Sequence, residues 1–334
     1  MLTLIARRLA FLVLVVLGVS VITFIISNAV PGDPARLLAG PRATPEQITE
    51  MRVQLGLDRP LPERYVHYLG RVLQGDLGTS IVDNQPVSRA LLKRIPATVE
   101  LMLSALLLSL LIGIPLGVLA AVRKGGWVDH LVRGWSVLGI SLPAFWLGLA
   151  FILVFYGGLG VLPASGRLAG PPSPNVTGLY TLDALLAADL RTFADAVRHL
   201  FLPALTIAFG EIGNTARLVR TSMIETLQED YVLLARASGI PEQQVVFHDA
   251  LRNALIPFTT LMGLALASML YGGVVIEAVF AWPGIGRYVV DAIFNLDFAV
   301  VMGFTIVVSI AYVLINLVVD IIYMLLDPQV RHVG

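Results

Sequence analysis

Apolar residues gather in six long blocks along the chain, approximately 9–30, 98–122, 131–157, 199–223, 258–281 and 299–326. Polar stretches rich in proline and glycine separate them. Each block reaches the ~20 residues that a helix needs to cross roughly 30 Å of hydrocarbon. The blocks predict six membrane-spanning helices. The stretches between them carry helix patterns of their own. Thr44, Pro45 and Gln47 read as an N-cap, a first-turn proline and a capping-box partner. Ile48, Met51 and Leu55 then share one helix face, and Gly56 ends that helix. A second amphipathic helix follows, with Tyr65, Tyr68, Leu69 and Val72 on one face. Two readings fit this pair: helices lying on the bilayer surface, or a platform for a soluble partner.

The polar insert between the fourth and fifth blocks is too long for a simple connection. Ser222 and Glu225 have capping-box spacing and predict a helix start near Met223. Gly239 suits a helix stop, where the backbone often turns left-handed. Pro241 suits the first turn of a second helix. Val245, Val246 and Phe247 would be an exposed apolar cluster if the insert were merely a loop, which argues for a buried contact. The alternative is that the two helices only brace the bundle. The loop 159–198 opens with Pro163, Pro171, Pro172 and Pro174, shows a weaker helix pattern over 182–197, and reads as surface structure. No internal repeat is evident, so an inverted-repeat transporter gains no support.

Composition agrees with this pattern. Of 334 residues, 57% are hydrophobic and only 14% charged, against about a quarter in soluble proteins. Mean hydropathy is +0.82. The chain reads as an integral membrane protein. A net charge of +0 suggests no nucleic-acid partner, and the lack of cysteine excludes disulfides and thiolate metal sites. Arg7 and Arg8 precede the first block, but its length and the lack of a small-x-small cleavage site make it a retained anchor. Arg7, Arg8, Arg123, Lys124, Arg133, Arg217, Arg220, Arg236, Arg252 and Arg331 fall on one side. The shorter opposite loops hold Arg167, Arg191, Arg198 and Arg287. The asymmetry predicts that both termini are cytoplasmic. Segments 1–30, 31–95 and 96–334 are then an anchor span, an external helical segment and a five-span core with a cytoplasmic loop at about 223–257.

No catalytic constellation is visible. Neither Lys93 nor Lys124 stands in a Gly-Lys-[Ser/Thr] setting, so no phosphate-cradling loop is present. The histidines, at 67, 130, 199, 248 and 332, have no metal-ligand spacing, and there is no G-x-S-x-G elbow. The notable ionisable residues lie within the spans. Glu211 is midway along the fourth, and Asn214 shares its face. A charge there costs at least ~2.5 kcal/mol, so it must meet a cavity or a neighbouring helix. Asn316 and Asp320 share a face near the cytoplasmic end of the last span, where a helix interface is favoured. Glu277, near the external end of the fifth span beside Trp282-Pro-Gly, reads as shaping an external gate region.

The run Ala235-Arg-Ala-Ser-Gly239 followed by Ala250-Leu-Arg-Asn-Ala-Leu-Ile-Pro257 resembles the EAA loop of ATP-binding-cassette importer permeases. More narrowly, the chain resembles the dipeptide/oligopeptide/nickel permease family. The supporting motifs are Pro31-Gly-Asp-Pro34, Gly75-Asp-Leu-Gly78, Pro96-Ala-Thr98, Ser141-Leu-Pro-Ala-Phe-Trp146, Glu277 with Trp282-Pro-Gly-Ile-Gly286, and Asp320 with Asp327-Pro328. Their order covers about 300 residues. Two positions depart from the family pattern: Ser238 stands where a lysine is usual, and Asp249 where a histidine is usual, with His248 before it.

The resemblance implies an all-α integral membrane protein, a six-span type I ABC importer permease with a small external helical domain between spans 1 and 2. It implies a second homologous permease, two ATP-binding-cassette ATPase subunits, an extracytoplasmic substrate-binding protein and a prokaryotic cytoplasmic membrane. It implies no cofactor in this chain, ATP and Mg being bound by the ATPases. By the same resemblance, Ala235, Arg236, Ala237, Gly239, Val245, Phe247, Leu251, Arg252, Asn253 and Pro257 form the ATPase-coupling surface. Glu211, Asn214, Glu277, Asn316 and Asp320 are pathway or interface candidates. Peptides are the expected cargo. Nickel or another small solute, or an ion-driven secondary transporter, are the alternatives.

Overall fold

The computed structural model describes residues 2–29, 34–40, 42–54, 56–174 and 176–326. The motif residues Pro31, Asp327 and Pro328 and the face residue Leu55 lie outside that set, as does Arg331. The described residues are mostly helical, with one isolated bridge, Thr79 to Pro86, as the extended pairing among them.

The helices are α1 (Leu2–Ala29), α2 (Pro34–Ala39), α3 (Pro45–Gln54), α4 (Leu61–Leu73), α5 (Val87–Val122), α6 (Trp127–Ser141), α7 (Ala144–Phe151) and α8 (Tyr180–Leu186). They continue with α9 (Leu190–Thr226), α10 (Asp230–Ala237), α11 (Glu242–Gln244), α12 (Leu251–Ala254), α13 (Ile256–Val279), α14 (Ile285–Phe294) and α15 (Phe298–Leu326). Two π-helical segments, Ile152–Gly158 and Val245–Ala250, extend α7 and lead into α12.

Among the described residues, Ala10–Ala29, Val87–Val122, Leu190–Thr226 and Phe298–Ile321 are long and apolar enough to cross a membrane. The block at 131–157 is not one straight helix. Trp127–Ser141 and Ala144–Gly158 meet at an angle of 106°. The cause is local: Pro143 disfavours helical geometry at the residue before it, and Leu142 is extended at ψ 126°. In α13 the apolar stretch is the shorter Ala265–Val279.

The chain divides into two compact units. The first comprises Met1–Ile95 and Ile285–Val313. Here α3 starts as its sequence predicts: the Thr44 N–H donates to Gln47 Oε1 at 2.9 Å and the Gln47 N–H to Thr44 Oγ1 at 3.4 Å. After α3, Gly56 takes φ +64°. The aromatic face of α4 packs on the chain itself. Tyr68 stacks on Phe24 of α1 at 5.7 Å and Tyr65 meets the same ring edge-on at 5.4 Å. Ile306, Val72 and Met302 complete this cluster. Asp297, fully buried, accepts from the Ser80 hydroxyl at 2.6 Å and the Ile81 N–H at 2.8 Å.

The second unit, Pro96–Gly284 with Leu314–Gly334, is organised about α9, against which α6, α7, α8, α12 and α13 pack. The expected helix over 182–197 is two helices, broken where Ala188 turns left-handed at φ +53°. Asp189 then caps α9, accepting from the Thr192 N–H at 3.0 Å and its hydroxyl at 2.6 Å. No helix starts at Met223. α9 runs unbroken to Thr226, with Ser222 buried inside it, so the Ser222/Glu225 spacing caps nothing. The crossing of α6 and α9 is made backbone to backbone. A Cβ on Gly139 would lie 2.9 Å from Gly210 Cα, and one on Gly213 would lie 2.8 Å from Ser136 Cα. Small residues at such crossings are how membrane helices gain packing contacts without a hydrophobic driving force. At one end of the same pair, fully buried Asp129 accepts hydrogen bonds from Arg220 across the helices and from Arg133 along its own helix.

Candidate functional site

Three parts of the second unit carry chemistry, and the insert 227–256 is the first. Its helix α10 ends in a Schellman turn, with the Gly239 N–H donating to the Arg236 carbonyl at 3.0 Å and the Ile240 N–H to the Ala235 carbonyl at 3.2 Å. Gly239 stands at φ +77°. Pro241 caps α11 from just outside rather than inside its first turn. Arg236 binds Glu242 with both arms of its guanidinium, at 2.7 and 3.1 Å, and so bridges the turn. That guanidinium holds the Glu242 carboxyl below its ordinary pKa. Farther along, Asn253 Nδ2 donates to the Tyr231 hydroxyl at 2.8 Å and ties α12 back to α10.

The apolar trio in this insert does not stay together. Val245 and Val246 are buried, and Val246 joins Val118, Ala121, Val219, Met223, Ala250, Ala254 and Phe258 in one core cluster. The stretch 245–250 is helical, so its inward residues meet the ends of α5 and α9. Only Phe247 of the three is exposed, at 58%. Leu233 and Leu234 on α10 are exposed as well, at 51% and 69%. Sequence reading passed over these two leucines, although an apolar pair on a short polar helix was the available signal. Arg236, Ala237, Gly239, Arg252 and Asn253 are also exposed, while Ala235 and Leu251 are half-buried. Pro257 stands in the first turn of α13, and its side chain lies outside the described residues. The insert is therefore a hydrogen-bonded helical knob with its inner face on the bundle and an outer face of apolar and charged residues.

The second part is a pair of neighbouring cavities that share Glu211, Asn214 and Ser268. One, of about 260 Å³, is lined also by Gly139, Leu142, Ala144 and Met269, at the break between α6 and α7. The other, of about 500 Å³, is lined also by Ser109, Arg217, Thr221 and Phe258. Ser268 donates to Glu211 Oε1 at 3.1 Å. Asn214 Oδ1 is buried with no hydrogen-bond partner among the described residues. Glu211 and Asn214, one turn apart on α9, thus place an acidic and an amide group against space rather than against a closed helix interface. Asn316 and Asp320 are half-buried on α15, and Val319 beside them contacts the backbone of α13 at Gly263.

The third part is a buried polar network about residues 97–100, in the first half of α5. Glu277 is 1% exposed and accepts from the Thr98 hydroxyl at 2.6 Å. It lies beneath the turn Trp282-Pro-Gly, whose indole N–H donates to the Ala97 carbonyl at 2.8 Å. Glu100 pairs with Arg167 and accepts from the Thr181 N–H and hydroxyl, both at 2.7 Å. Arg167 also stacks over the Tyr180 ring at 3.6 Å. The loop 159–198 is therefore not wholly surface structure: it inserts a buried arginine. Sequence reading missed the pairing of Glu100 with Arg167 because 67 residues separate the partners and no local spacing joins them.

A polytopic helical membrane protein with such an insert, and with an acid and an amide facing cavities between its helices, has the parts of a transport subunit. The comparisons define the family. Residues 113–332 match the binding-protein-dependent transport system inner membrane component, and residues 1–102 match the N-terminal part of such membrane components. The chain belongs to the binding-protein-dependent transport system inner membrane component family. It is 55% identical over 325 residues to the "Probable D,D-dipeptide transport system permease protein DdpB" of Escherichia coli strain K12, covering 97% of this chain and 96% of that one. It is 42% identical over 335 residues to the "Di/tripeptide transport system permease protein DppB" of Pseudomonas aeruginosa strain UCBPP-PA14, covering 99% of each. It is 39% identical over 332 residues to the "Glutathione transport system permease protein GsiC" of Salmonella typhimurium strain LT2, covering 99% of this chain and all of that one.

Proposed function

We propose that this chain is the permease subunit of an ATP-driven importer of di- and oligopeptides. The observation that carries the peptide cargo is end-to-end similarity to permeases named for dipeptide, di/tripeptide and glutathione transport. Nickel or another small solute is the second cargo reading. Membership of a binding-protein-dependent family weighs against an ion-driven secondary transporter.

In this reading the chain crosses the membrane six times, with α13 as the fifth crossing and the bent α6–α7 pair as the third. Both termini face the cytoplasm, and 31–95 is external. A second homologous permease completes the pathway, two ATPase subunits supply the energy, and a soluble binding protein delivers the cargo. This chain carries no cofactor and hydrolyses nothing. ATP and Mg belong to the ATPases. The exposed face formed by Leu233, Leu234, Arg236, Ala237, Phe247, Arg252 and Asn253 fits helix-in-groove docking, which needs apolar anchors on a rigid element. Glu211 and Asn214 face the translocation route.

The test of function is reconstitution. Co-expressed with the candidate partners, the chain should co-purify with the ATPases, and proteoliposomes should take up labelled dipeptide only with ATP and binding protein. Uptake without an ATPase, or no dipeptide uptake by an otherwise active complex, would remove this reading. Topology has its own check. A cysteine at Thr49, an exposed position, should react with an impermeant thiol reagent outside intact cells. Labelling only after lysis would reverse the orientation. For Glu211, the Gln variant should assemble and melt like the parent yet change the uptake rate or peptide preference by about tenfold, equivalent to ~1.4 kcal/mol. Normal transport by Glu211→Gln would take the residue off the route.

A further inference from the structure

The first unit holds a cavity of about 570 Å³ that plays no part in the proposed transport route. Four of its lining residues, Arg64, His67, Tyr68 and Arg71, come from one face of α4 at spacings of three, four and seven. Arg59 adds a third guanidinium, hydrogen-bonded to His67 at 2.7 Å. Asp76 is the one carboxylate in the lining, and its Oδ1 already accepts from the Gly78 N–H at 2.9 Å. Among the described residues no carboxylate pairs with Arg64 or Arg71. The Tyr68 hydroxyl is buried without a hydrogen-bond partner, and burial pushes its pKa up to about 12, so it stays a donor. An unmet donor beside unpaired guanidinium groups is a built receptor for an anion.

The other wall combines apolar Phe24 of α1, Leu57, Phe298 and Met302 with the polar Ser27 and Asn28 at the end of α1. α1 itself is little covered by the chain, with 6% of its spanning window buried. Ile22, Ile25 and Ile26 lie exposed, at 55–59%, along its last turns. Cationic groups at the end of a membrane helix whose apolar side chains are exposed match a molecule that joins an anion to acyl chains.

We propose that this cavity binds the phosphate headgroup of an anionic phospholipid, whose acyl chains lie along α1. Arg64 and Arg71 hold the phosphate oxygens, Tyr68 donates a hydrogen bond to one of them, and Arg59 stays tied to His67 at the rim. The inference needs α1 to be in the bilayer and does not depend on what the protein transports.

The probe is phosphatidylglycerol, presented to the purified full-length complex in nanodiscs and followed by native mass spectrometry, with phosphatidylcholine as the neutral comparison. Phosphatidylglycerol should be retained preferentially. The double variant Arg64→Gln/Arg71→Gln should weaken that retention by about tenfold or more. Tyr68→Phe preserves the ring stack on Phe24 and should still weaken it by a smaller factor, which separates lost binding from lost folding. Equal retention of the two lipids, or retention unchanged in both variants, would overturn the proposal. Displacement of the lipid by millimolar inorganic phosphate or by a dipeptide would also overturn it, and would make the cavity a site for soluble anions.

Discussion

Gly239→Val should reach the membrane in normal amount and fail to couple. Insertion depends on the spanning helices, not on this turn. Gly239 stands at φ +77°, which a β-branched residue adopts only at a cost of ~1–3 kcal/mol. The chain can keep the turn and carry that strain, or relax and move α11 relative to α10. Relaxation would pull apart the Arg236–Glu242 bridge and move the segment that carries Phe247 relative to α10. Nothing lies within 4 Å of where a Cβ on Gly239 would point, so no clash inside the chain competes with this account. We expect ATPase co-purification about tenfold weaker, or ATP hydrolysis no longer stimulated by cargo, equivalent to ~1.4 kcal/mol of interface energy. Gly239→Asn separates two causes, because asparagine tolerates the left-handed region. If Asn restores coupling, backbone geometry is what matters. If Asn fails like Val, the side chain crowds a docked partner. Wild-type association and stimulation in Gly239→Val would show that this turn does not carry the coupling.

The second large effect is expected at Gly284. A Cβ there would lie 2.3 Å from both carboxylate oxygens of Glu277. A flexible carboxylate could often retreat, but this one is 1% exposed and held by Thr98. Gly284→Ala must therefore displace the buried Glu277 carboxyl from its hydrogen bond, at ~1–3 kcal/mol, or distort the Trp282-Pro-Gly turn. The apparent melting temperature of the purified complex should fall by several degrees, and uptake should fall with it. A double-mutant cycle identifies the cause. In a Glu277→Ala background the carboxylate is gone, so adding Gly284→Ala should cost little more. Additive losses would mean that the two positions act separately and that the carboxylate is not what fills the space.

Local signals were legible in the sequence and long-range ones were not. The Thr44/Gln47 box, the left-handed turns at Gly56 and Gly239, and the capacity of the apolar blocks to form long helices need only neighbours within a few residues. Ser222/Glu225 shows the limit of such signals: the same spacing recurs inside α9, where tertiary packing buries Ser222 and no helix end forms. The break at Leu142 was present as Pro143, but the surrounding hydrophobicity outweighed it in a reading by apolar blocks. The apolar trio at 245–247 illustrates a different failure. Hydrophobicity says that a residue seeks cover; it does not say whether α5 and α9 or a partner provides it. The pairs Glu100–Arg167 and Ser80–Asp297 join residues that only the folded topology brings together. Of the cavity residues, Glu211 and Asn214 stood out because charge is rare in a span, whereas Ser268 carried no such mark.

The glycine crossing of α6 and α9 has a mechanical consequence. Gly139, Gly210 and Gly213 bring the two backbones together, while Trp135 packs on Phe209 and Asp129 binds Arg220 across the same helix pair. From Gly213 to Thr226, α9 is an uninterrupted arm of roughly 20 Å at 1.5 Å per residue. It ends at the insert that α10 opens. Were α9 to swing about this crossing, the Asp129–Arg220 bond would have to yield or carry α6 along with it. A 10° swing about the crossing would carry the far end of the arm by about 3 Å, while Glu211, beside the pivot, would travel well under 1 Å. The lever ratio is thus written into helix length and glycine position: a large stroke at the insert becomes a small, forceful adjustment beside the cavities.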